Sequence, residues 1–415
     1  MANKKKILIA APYSFNERMA NYIEFITARL LAKNNWRVIG LVSRDDETKS
    51  IDSLYGIKIY RYKNLAQGIF FLLNILLIDR PTVVHIHNQR NNRLGILTAI
   101  MAKLTGKTLI FTEYGLLHDH YLVTDRDNPL GKPLKPNGLI FNLRQIFSYS
   151  FIKKTASPPA NIKNYLFHWA LTHADKIVFV SKHNLPIAKE LGLKNYIYLP
   201  YIFDDARWEI KRAGKELSQN NQRALKKIEK NGDSPLGFFI GQLKLRKGWD
   251  IYLKTIALVD KAIIPYFVLI TSSASRPPDF FSQMVKNLGI EDRLIFFGQV
   301  DNQTLKKIYD LSSIIIAPSR YEGFGLAAIE AFESKKPLIA SAVEALTETV
   351  IDNYNGLLVP PENPQKLASA ICRLAQDRAL VKKLIAGGQI TLKRLKSDEL
   401  KNQWLDFYEK LLIAD

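Results

Sequence analysis

The segment Ile314 to Ala331, IIIAPSRYEGFGLAAIEA, decides the fold of this chain. Its β-branched start predicts a buried strand, and its second half predicts a helix that begins near Phe324. The turn between them leaves the backbone amides of Gly323, Phe324, Gly325 and Leu326 unpaired at a helix N-terminus. Amides in that position bind anions, so the segment predicts a strand, a turn and a helix that hold a group such as a diphosphate.

The same alternation of apolar β-branched runs and amphipathic helix-length segments extends along the whole chain. It is typical of βαβ units around parallel sheets. The sequence therefore predicts an α/β protein with two doubly wound, Rossmann-like parallel-sheet domains that face a central cleft. The predicted strands are Ile7–Ala11, Arg37–Val42, Lys58–Arg61, Val83–Ile86, Thr108–Thr112, Ile177–Ser181 and Tyr196–Leu199, then Gly237–Gly241, Tyr266–Thr271, Leu294–Gly298, Ile314–Ala317, Pro337–Ala340 and Gly356–Val359.

The domain boundary is predicted in the polar, charged stretch from Phe203 to Ser234. A chain of 415 residues exceeds the size at which one core keeps growing, so two domains are expected. We assign residues 1–203 to the first domain and residues 204–394 to the second. The apolar spacing of residues 395–415 predicts a C-terminal helix that packs back on the first domain.

Composition excludes several classes of protein. With 47% hydrophobic and 24% charged residues, the chain is typical of a globular protein. Its single cysteine, Cys372, allows neither an intrachain disulfide nor a thiolate zinc site. The first apolar run predicts a strand and not a signal peptide, and the most apolar stretch, Gly68 to Ile78, is too short to span a bilayer. A cytoplasmic location is expected.

The net charge of +20 is concentrated in the first half of the chain. Residues 1–200 contain 28 Lys and Arg against 13 Asp and Glu, whereas residues 201–415 contain 31 against 26. Such a field favours phosphorylated substrates or anionic lipid headgroups, and solubility alone is the alternative explanation.

Two carboxylates frame the predicted anion site. Glu330 lies far enough into the helix to reach a ribose attached to the diphosphate, and Glu322 in the turn is left near the sugar. The alternatives are that Glu322 caps the helix and that Glu330 is an ordinary surface charge.

This arrangement resembles the Glu-x7-Glu signature of retaining glycosyltransferases of the GT-B fold, specifically the group 1 family, glycosyltransferase family 4. The resemblance covers nearly the whole chain and is strongest from residue 237 to residue 375. The residues that carry it are Gly241 to Gly248 with Lys247-Gly248, Asp292 to Gly298, Pro318-Ser319, Glu330-Ala331, Pro337, Glu348 and Asn355 to Val359, with His85-Ile86-His87, Ala174-Asp175 and Val180-Ser181 in the first half.

The resemblance implies a hexosyltransferase that moves a hexose from a UDP- or GDP-linked donor to a glycan or lipid-linked acceptor, with retention of configuration. It assigns the nucleotide sugar to the second domain, residues 204–394, and the acceptor side to the first, residues 1–203. Lys247 would neutralise the diphosphate and stabilise its departure, the role of a metal ion in other transferases, so neither metal nor cofactor is expected. Glu322 would contact the donor sugar and Glu330 the ribose. Lys247 and Glu322 are thus the expected catalytic residues, and the alternative for Lys247 is an ordinary solvated lysine.

Several positions depart from the family pattern. Gln242 follows Gly241 where the family has an arginine, so Arg246, or else Lys244, is expected to supply that charge. Tyr114 stands where a histidine often contacts the donor, and His118 is a weaker candidate for that contact.

Other departures affect the loops of the donor pocket. The usual glycine-rich first turn is replaced by Pro12 to Arg18, the glycine pair before Glu348 by Glu344-Ala345, and a further glycine by Lys335. The alternative function is therefore a degenerate GT-B domain that binds a nucleotide sugar or a partner without turnover.

Residues 118–172 mix aromatic and basic side chains over a connection longer than a compact βα unit requires. This mixture predicts an acceptor-side surface that meets a lipid-linked or phosphorylated acceptor at the inner face of the membrane. A helical insertion that packs its own aromatic residues is the alternative. No nucleic-acid-binding motif is present, so nucleic acid is not an expected partner.

Overall fold

The computed structural model describes residues 5–16, 19, 22–44, 48–87, 94–114, 166–204, 217–230, 232, 234–271 and 276–413. They form two compact units. Unit 1 contains the described residues up to 204 together with those from Leu395 onward, and unit 2 contains those from 217 to Arg394.

The strands follow the predicted order along the chain. They are β1 Lys6–Ala11, β2 Arg37–Ser43, β3 Ile51–Leu54, β4 Ile57–Tyr62, β5 Val83–His87, β6 Thr108–Glu113, β7 Lys176–Phe179 and β8 Tyr196–Tyr198 in unit 1, and β9 Leu236–Ile240, β10 Tyr266–Ile270, β11 Leu294–Phe297, β12 Ile314–Ala317, β13 Leu338–Ser341 and β14 Leu357–Val359 in unit 2.

Helices connect most of these strands. They are α1 Ile23–Lys33, α2 Leu65–Asn74 with a π-helical continuation Ile75–Asp79, α3 Gly95–Leu104, α4 Asn184–Glu190, α5 Gln219–Lys230, α6 Trp249–Leu258, α7 Asp279–Asn287, α8 Asn302–Leu311, α9 Leu326–Glu333, α10 Glu344–Thr349, α11 Pro364–Gln376, α12 Arg378–Leu395 and α13 Asp398–Ile413. A short 3₁₀ helix, Leu245–Lys247, precedes α6.

The sheet of unit 1 has the order β3-β4-β2-β1-β5-β6-β7-β8. All neighbours are parallel except β3 and β4, and every predicted strand of this half is present within two residues of its predicted ends. Strand β3 was not predicted. It joins β4 through Tyr55 and Gly56, which both have positive φ (53° and 77°), the conformation of a type I′ hairpin turn. Tyrosine is an unusual residue there, so the local sequence carried only a weak hairpin signal.

The sheet of unit 2 has the order β11-β10-β9-β12-β13-β14, and all of its neighbours are parallel. This is the doubly wound order in which the chain builds outward from β9, then crosses to β12 and builds outward again. The predicted fold class of two doubly wound parallel sheets is confirmed. The crossing point between β9 and β12 is the position where such sheets bind ligands.

Each sheet is covered by its own apolar core. In unit 1 the core joins residues such as Val84, Ile86 and Phe111 of the sheet to Phe71 and Leu72 of α2. The C-terminal helix α13 also belongs to unit 1, where the Trp404 indole donates a hydrogen bond to the Pro200 carbonyl oxygen at 2.9 Å.

The core of unit 2 packs α6 and α11 against strands β9, β10 and β14. Within the residues that the structure describes, none of the helices is both long and apolar enough to cross a membrane.

Candidate functional site

The predicted donor residues of unit 2 lie on the two loops that follow β9 and β12 and on the first turns of α9. These strands are neighbours, with Ile315 in register with Phe238, so their carboxyl ends open at the same edge of the sheet. The two loops therefore meet at the crossing point of unit 2, although their residues are far apart in the sequence.

The loop after β9 holds its residues in defined positions. The Gly241 amide donates to the Ile270 carbonyl oxygen at 3.0 Å, and Gln242 is exposed. Lys247 ends the 3₁₀ helix, and Gly248 follows in the left-handed conformation with φ of 71° before α6 begins.

Gly248 allows the two loops to touch. A Cβ at this position would lie 1.8 Å from the Pro318 carbonyl oxygen, a distance that no side chain permits. The Arg320 amide donates to the Arg246 carbonyl oxygen at 2.8 Å and closes the contact. The Lys-Gly pair of the sequence is thus explained by the close approach of two backbones.

The loop after β12 leads into α9 slightly later than predicted. The helix begins at Leu326 and not near Phe324, because Gly325 adopts the left-handed conformation with φ of 84° as the N-cap. The oxygens of Glu322 accept hydrogen bonds from Lys247 and Ser319, which disfavours the alternative that Glu322 caps the helix. The Ala328 amide already donates to the Gly325 carbonyl oxygen at 2.9 Å. The Leu326 and Ala327 amides are therefore the ones that the first turn of α9 leaves without an intrahelical partner.

Lys247 and Glu322 form the centre of the site. The Lys247 Nζ lies 2.8 Å from Oε1 and 2.7 Å from Oε2 of Glu322, and the Ser319 hydroxyl donates to Oε2 at 3.1 Å. Only 23% of the Lys247 side chain and 12% of the Glu322 side chain is exposed. Lys247 is therefore not the solvated lysine of the alternative interpretation.

Burial and charge shift both groups. Burial lowers the pKa of Lys247, and the attraction of Glu322 raises it again only in part, so it stays below its ordinary value. Burial raises the pKa of Glu322, but the positive charges of Lys247 and Arg246 oppose this effect and outweigh it. The pKa of Glu322 is therefore below its ordinary value. The Arg246 guanidinium lies over the Tyr321 ring, 5.8 Å from its centre.

Glu330 is the fifth residue of α9, about 6 Å along the axis from Leu326. It is 7% exposed, and its Oε2 accepts a hydrogen bond of 2.6 Å from the buried Tyr309 hydroxyl. The structure contradicts the alternative that Glu330 is an ordinary surface charge. Tyr309, which lies on α8, had no recognisable signal in the sequence.

The ion pairs of Arg320 were also not predicted from the sequence. Its guanidinium makes two hydrogen bonds of 2.7 Å with the Asp250 carboxylate, and its Nε lies 3.1 Å from Glu362. Arg320 is 5% exposed at the side chain. This buried pair joins the loop after β12 to the first turn of α6 and so fixes the two loops that carry Glu322 and Lys247.

Two departures from the family pattern have visible consequences. Lys335 has φ of 53°, the left-handed conformation that glycine adopts most easily, directly after α9. The Glu344 carboxylate lies 3.4 Å from the backbone amide of Glu322, at the turn where a phosphate is expected.

The weaker candidates belong to unit 1. Tyr114 follows β6, and its hydroxyl donates to Glu24 Oε1 at 3.2 Å. His118 and most of the segment 118–172 lie outside the described residues, as do Glu17 and Arg18 of the first turn.

A buried polar cluster at the carboxyl edge of the unit 1 sheet was not foreseen. Burial raises the pKa of Glu24, in the first turn of α1, to about 7, and hydrogen bonds from its own amide and from Tyr114 oppose this shift only in part. Its Oε2 and both ring nitrogens of His87 have no hydrogen-bond partner among the described residues.

His85 lies next to this cluster, with its ring centre 4.0 Å from that of His87. Its Nδ1 pairs with the Tyr408 hydroxyl and its Nε2 with the Thr112 hydroxyl, both at 2.7 Å. Burial lowers the pKa of His85 to about 3 and that of His87 well below its ordinary value. Both rings are neutral near pH 7, and each of the free nitrogens of His87 can bind a hydroxyl group.

Solved structures of other proteins have the same fold of two doubly wound units. The structure resembles sucrose-phosphate synthase of Thermosynechococcus elongatus, with a TM-score of 0.73 and 19% identity over 99% of this chain and 100% of that one. It also resembles the Anabaena protein HepE solved with UDP-glucose, with a TM-score of 0.66 and 15% identity over 98% of this chain and 99% of that one. The fold is that of the GT-B glycosyltransferases.

Sequence relatives narrow the class further. Residues 220–390 match the family model of group 1 glycosyl transferases. An uncharacterized glycosyltransferase of Methanocaldococcus jannaschii is 29% identical over 325 residues, which cover 76% of this chain and 82% of that protein. Several other curated relatives are matched over only 37% to 42% of their length. Residues 220–390 are thus similar to the group 1 glycosyl transferases.

Proposed function

We propose that this protein transfers a hexose from a nucleoside diphosphate sugar to a glycan or lipid-linked acceptor, with retention of configuration and without a metal ion. The single observation that carries the proposal is the ion pair of Lys247 and Glu322 at the crossing point of the unit 2 sheet. A cation and an anion held together there match a donor whose diphosphate is negative and whose sugar is rich in hydroxyl groups.

Lys247 and the first amides of α9 bind the diphosphate in this proposal. Arg246, whose charge already lowers the pKa of Glu322, takes the place of the arginine that Gln242 replaces. UDP and GDP donors fit this arrangement equally, and the UDP-glucose bound to the structurally similar HepE favours UDP as the first donor to test.

Glu330 binds the ribose hydroxyls, since Tyr309 already fixes one of its oxygens and the carboxylate lies on the first turns of α9. Glu322 exchanges its contact with Lys247 for the hydroxyl groups of the donor sugar. Donor binding therefore separates the ion pair and assigns each partner to one end of the donor.

The transfer step breaks the bond between the anomeric carbon and the diphosphate oxygen, which leaves with the bonding electrons. An acceptor hydroxyl forms its new bond to that carbon on the same face, and its proton passes to the departing diphosphate. Lys247 stabilises the negative charge that develops on the leaving oxygen.

The acceptor is assigned to unit 1. Glu24 and His87 offer unpaired buried polar atoms at the carboxyl edge of its sheet, which suits the hydroxyl groups of a glycan. The excess of basic residues in the first half of the chain suits a phosphorylated or lipid-linked acceptor. We therefore place the protein at the inner face of the membrane, as a peripheral enzyme of polysaccharide or glycolipid synthesis.

The test is donor turnover by the purified chain with UDP-, GDP- and ADP-sugars, in the presence of EDTA and with lipid extract as acceptor. Proton NMR of donor hydrolysis identifies the first anomer formed, which is the anomer of the donor if the reaction retains configuration. We expect Lys247→Ala and Glu330→Gln to lose turnover, whereas Lys254→Ala, an exposed lysine on α6, keeps it.

Each outcome decides between defined alternatives. Binding of a nucleotide sugar without turnover under any of these conditions would favour the degenerate, donor-binding domain. Turnover that stops with EDTA and returns with a divalent ion would contradict metal independence. An inverted first product would contradict retention.

A further inference from the structure

Helix α2 and its π-helical continuation present an apolar face to solvent. Phe70, Leu73 and Leu77 recur at helical spacing on that face and are 62%, 40% and 67% exposed, and the neighbouring Ile78 is 72% exposed. The face extends for about 20 Å from Leu65 to Ile78. The inward side, with Phe71 and Leu72, is already packed in the core of unit 1.

This exposure is unusual for a surface helix. From Leu65 to Ile78 there is no charged residue, and the only polar side chains are Gln67 and Asn74. A surface helix of a globular protein normally turns charged residues outward, and a contiguous apolar face marks an interaction site. The apolarity of α2 therefore exceeds what its packing in unit 1 requires.

An exposed leucine of helix α3 adds to this apolar face at the amino edge of the sheet. Leu104, at the end of α3, is 76% exposed. The connections after α2 and α3 run side by side, because the Thr108 amide donates to the Thr82 carbonyl oxygen. The ends of both helices thus come together beside the starts of β5 and β6.

Basic residues surround that edge. Arg80 is exposed and fixed by a hydrogen bond from its Nε to the Leu77 carbonyl oxygen at 2.9 Å. Arg37 and Lys58, 46% and 41% exposed at their side chains, share the buried Asp79. Lys107 lies in the connection from α3 to β6 at the same edge, where Lys103 is already paired with Asp175 at 3.0 Å. The apolar face is therefore flanked by a net positive charge.

We infer that this face, Phe70, Leu73, Leu77, Ile78 and Leu104, docks unit 1 onto an anionic lipid bilayer. An apolar helix face with basic residues beside it is the combination that inserts at the level of the headgroups. The inference deepens the proposed function, on which it rests for the lipid-linked acceptor. It assigns membrane contact to α2 and α3, where the sequence had indicated the segment 118–172.

A second copy of this chain is the competing occupant of the face. Two copies that met there would bring Arg37, Lys58, Arg80 and Lys107 of each copy together, whereas the acidic Asp79 and Asp175 are already paired within each copy. A surface of phosphate headgroups neutralises the same residues. Charge complementarity therefore favours the bilayer over self-association.

The experiment is flotation of the full chain with phosphatidylcholine vesicles that contain or lack phosphatidylglycerol, at low and high salt. The double variant Leu73→Gln/Leu77→Gln removes apolar surface without touching the core. Ile390→Gln is the matched control, because Ile390 is 61% exposed on α12 of unit 2. Arg80→Gln/Lys107→Gln tests the charge. Donor turnover without vesicles is measured on every variant.

We expect the wild-type chain and Ile390→Gln to float with anionic vesicles at low salt, and binding by the leucine variant to fall at least about tenfold. The affinity of the charge variant for anionic vesicles should fall roughly fivefold for each residue replaced, and it should depend less on salt. Unchanged flotation of the leucine variant would overturn the inference, as would a wild-type dimer that the leucine variant dissociates. Flotation of a chain that shows no donor turnover would support the docking face and contradict the proposed transferase activity.

Discussion

Lys247 and Glu322 are 75 residues apart in the sequence, yet the lysine Nζ lies within 2.8 Å of both carboxylate oxygens. The pair exists because β9 and β12 are neighbours in the sheet and because Gly248 lets their following loops touch. In the proposed function, an anionic ligand replaces the Glu322 carboxylate beside Lys247. Donor binding and transfer should therefore respond differently to the two residues.

Glu322→Gln should bind a free nucleoside diphosphate at least as tightly as the wild-type chain, because Lys247 is released from its counter-charge. Transfer should nevertheless fall by about 10²-fold or more, because the contact with the donor sugar is lost. Lys247→Met should lose both binding and transfer. Calorimetric titration with UDP and a turnover assay separate the two effects. Weaker UDP binding by Glu322→Gln would contradict the proposed exchange of partners.

Gly248→Ala should destabilise unit 2 by about 2–4 kcal/mol and abolish donor binding, because its Cβ would collide with the Pro318 carbonyl oxygen. The matched control is Gly289→Ala. Gly289 also has positive φ, 63°, but nothing lies within 4 Å of the position its Cβ would take, so this variant tests backbone strain alone. It should cost about 1–2 kcal/mol and leave donor binding unchanged. If urea unfolding showed that both variants lose the same free energy of unfolding, the contact between the two loops would not contribute to stability.

Lys335→Gly should stabilise unit 2 by about 0.5–1 kcal/mol, because Lys335 occupies a left-handed position that ends α9. The Lys335 and Lys336 amides donate to the Phe332 and Ala331 carbonyl oxygens, the pattern of a Schellman motif. Lys335→Ala keeps the strain and serves as the control. Thermal unfolding would refute the prediction if the alanine variant gained as much stability as the glycine variant.

Glu24→Gln should change how the stability of unit 1 depends on pH. The ordinary pKa of this carboxyl is 4.5 and the folded value is about 7, so between these values the unfolded chain releases a proton that the folded chain retains. Stability therefore falls as pH rises through this window, and the glutamine variant lacks that loss. Its advantage over the wild-type chain should grow by up to about 3 kcal/mol between roughly pH 5 and pH 8.

The measurement is urea unfolding at both pH values, with Glu399→Gln as the control because Glu399 is an exposed residue of α13 in the same unit. A glutamine variant whose advantage is the same at both pH values would show that Glu24 is already ionised at the lower pH. The control should show no change between them.

The fold could be predicted from local pattern, with one omission. Runs of β-branched residues such as Ile314–Ala317 indicate strands that are buried on both faces. The helical segments between these runs indicate the crossover connections that parallel strands need. Strand β3 escaped because its turn uses Tyr55 at a left-handed position where asparagine or glycine is the usual signal.

The site could be predicted in part. The residues Lys247, Glu322 and Glu330 were identified by resemblance, but their partners were not. Arg320 with Asp250 and Tyr309 with Glu330 are contacts between distant segments. No periodicity in the sequence reports such contacts, because they depend on which strands lie next to each other.

The sequence by itself determined the secondary structure other than strand β3, the two parallel sheets and the turn that leads into α9, because these follow from the preferences of neighbouring residues. Only the tertiary structure decided that Lys247 meets Glu322, that Glu24 is buried and that the apolar face of α2 remains exposed. Strand order and burial are set by packing across the whole unit, so the charges, pKa values and surfaces that depend on them appear only when the chain is folded.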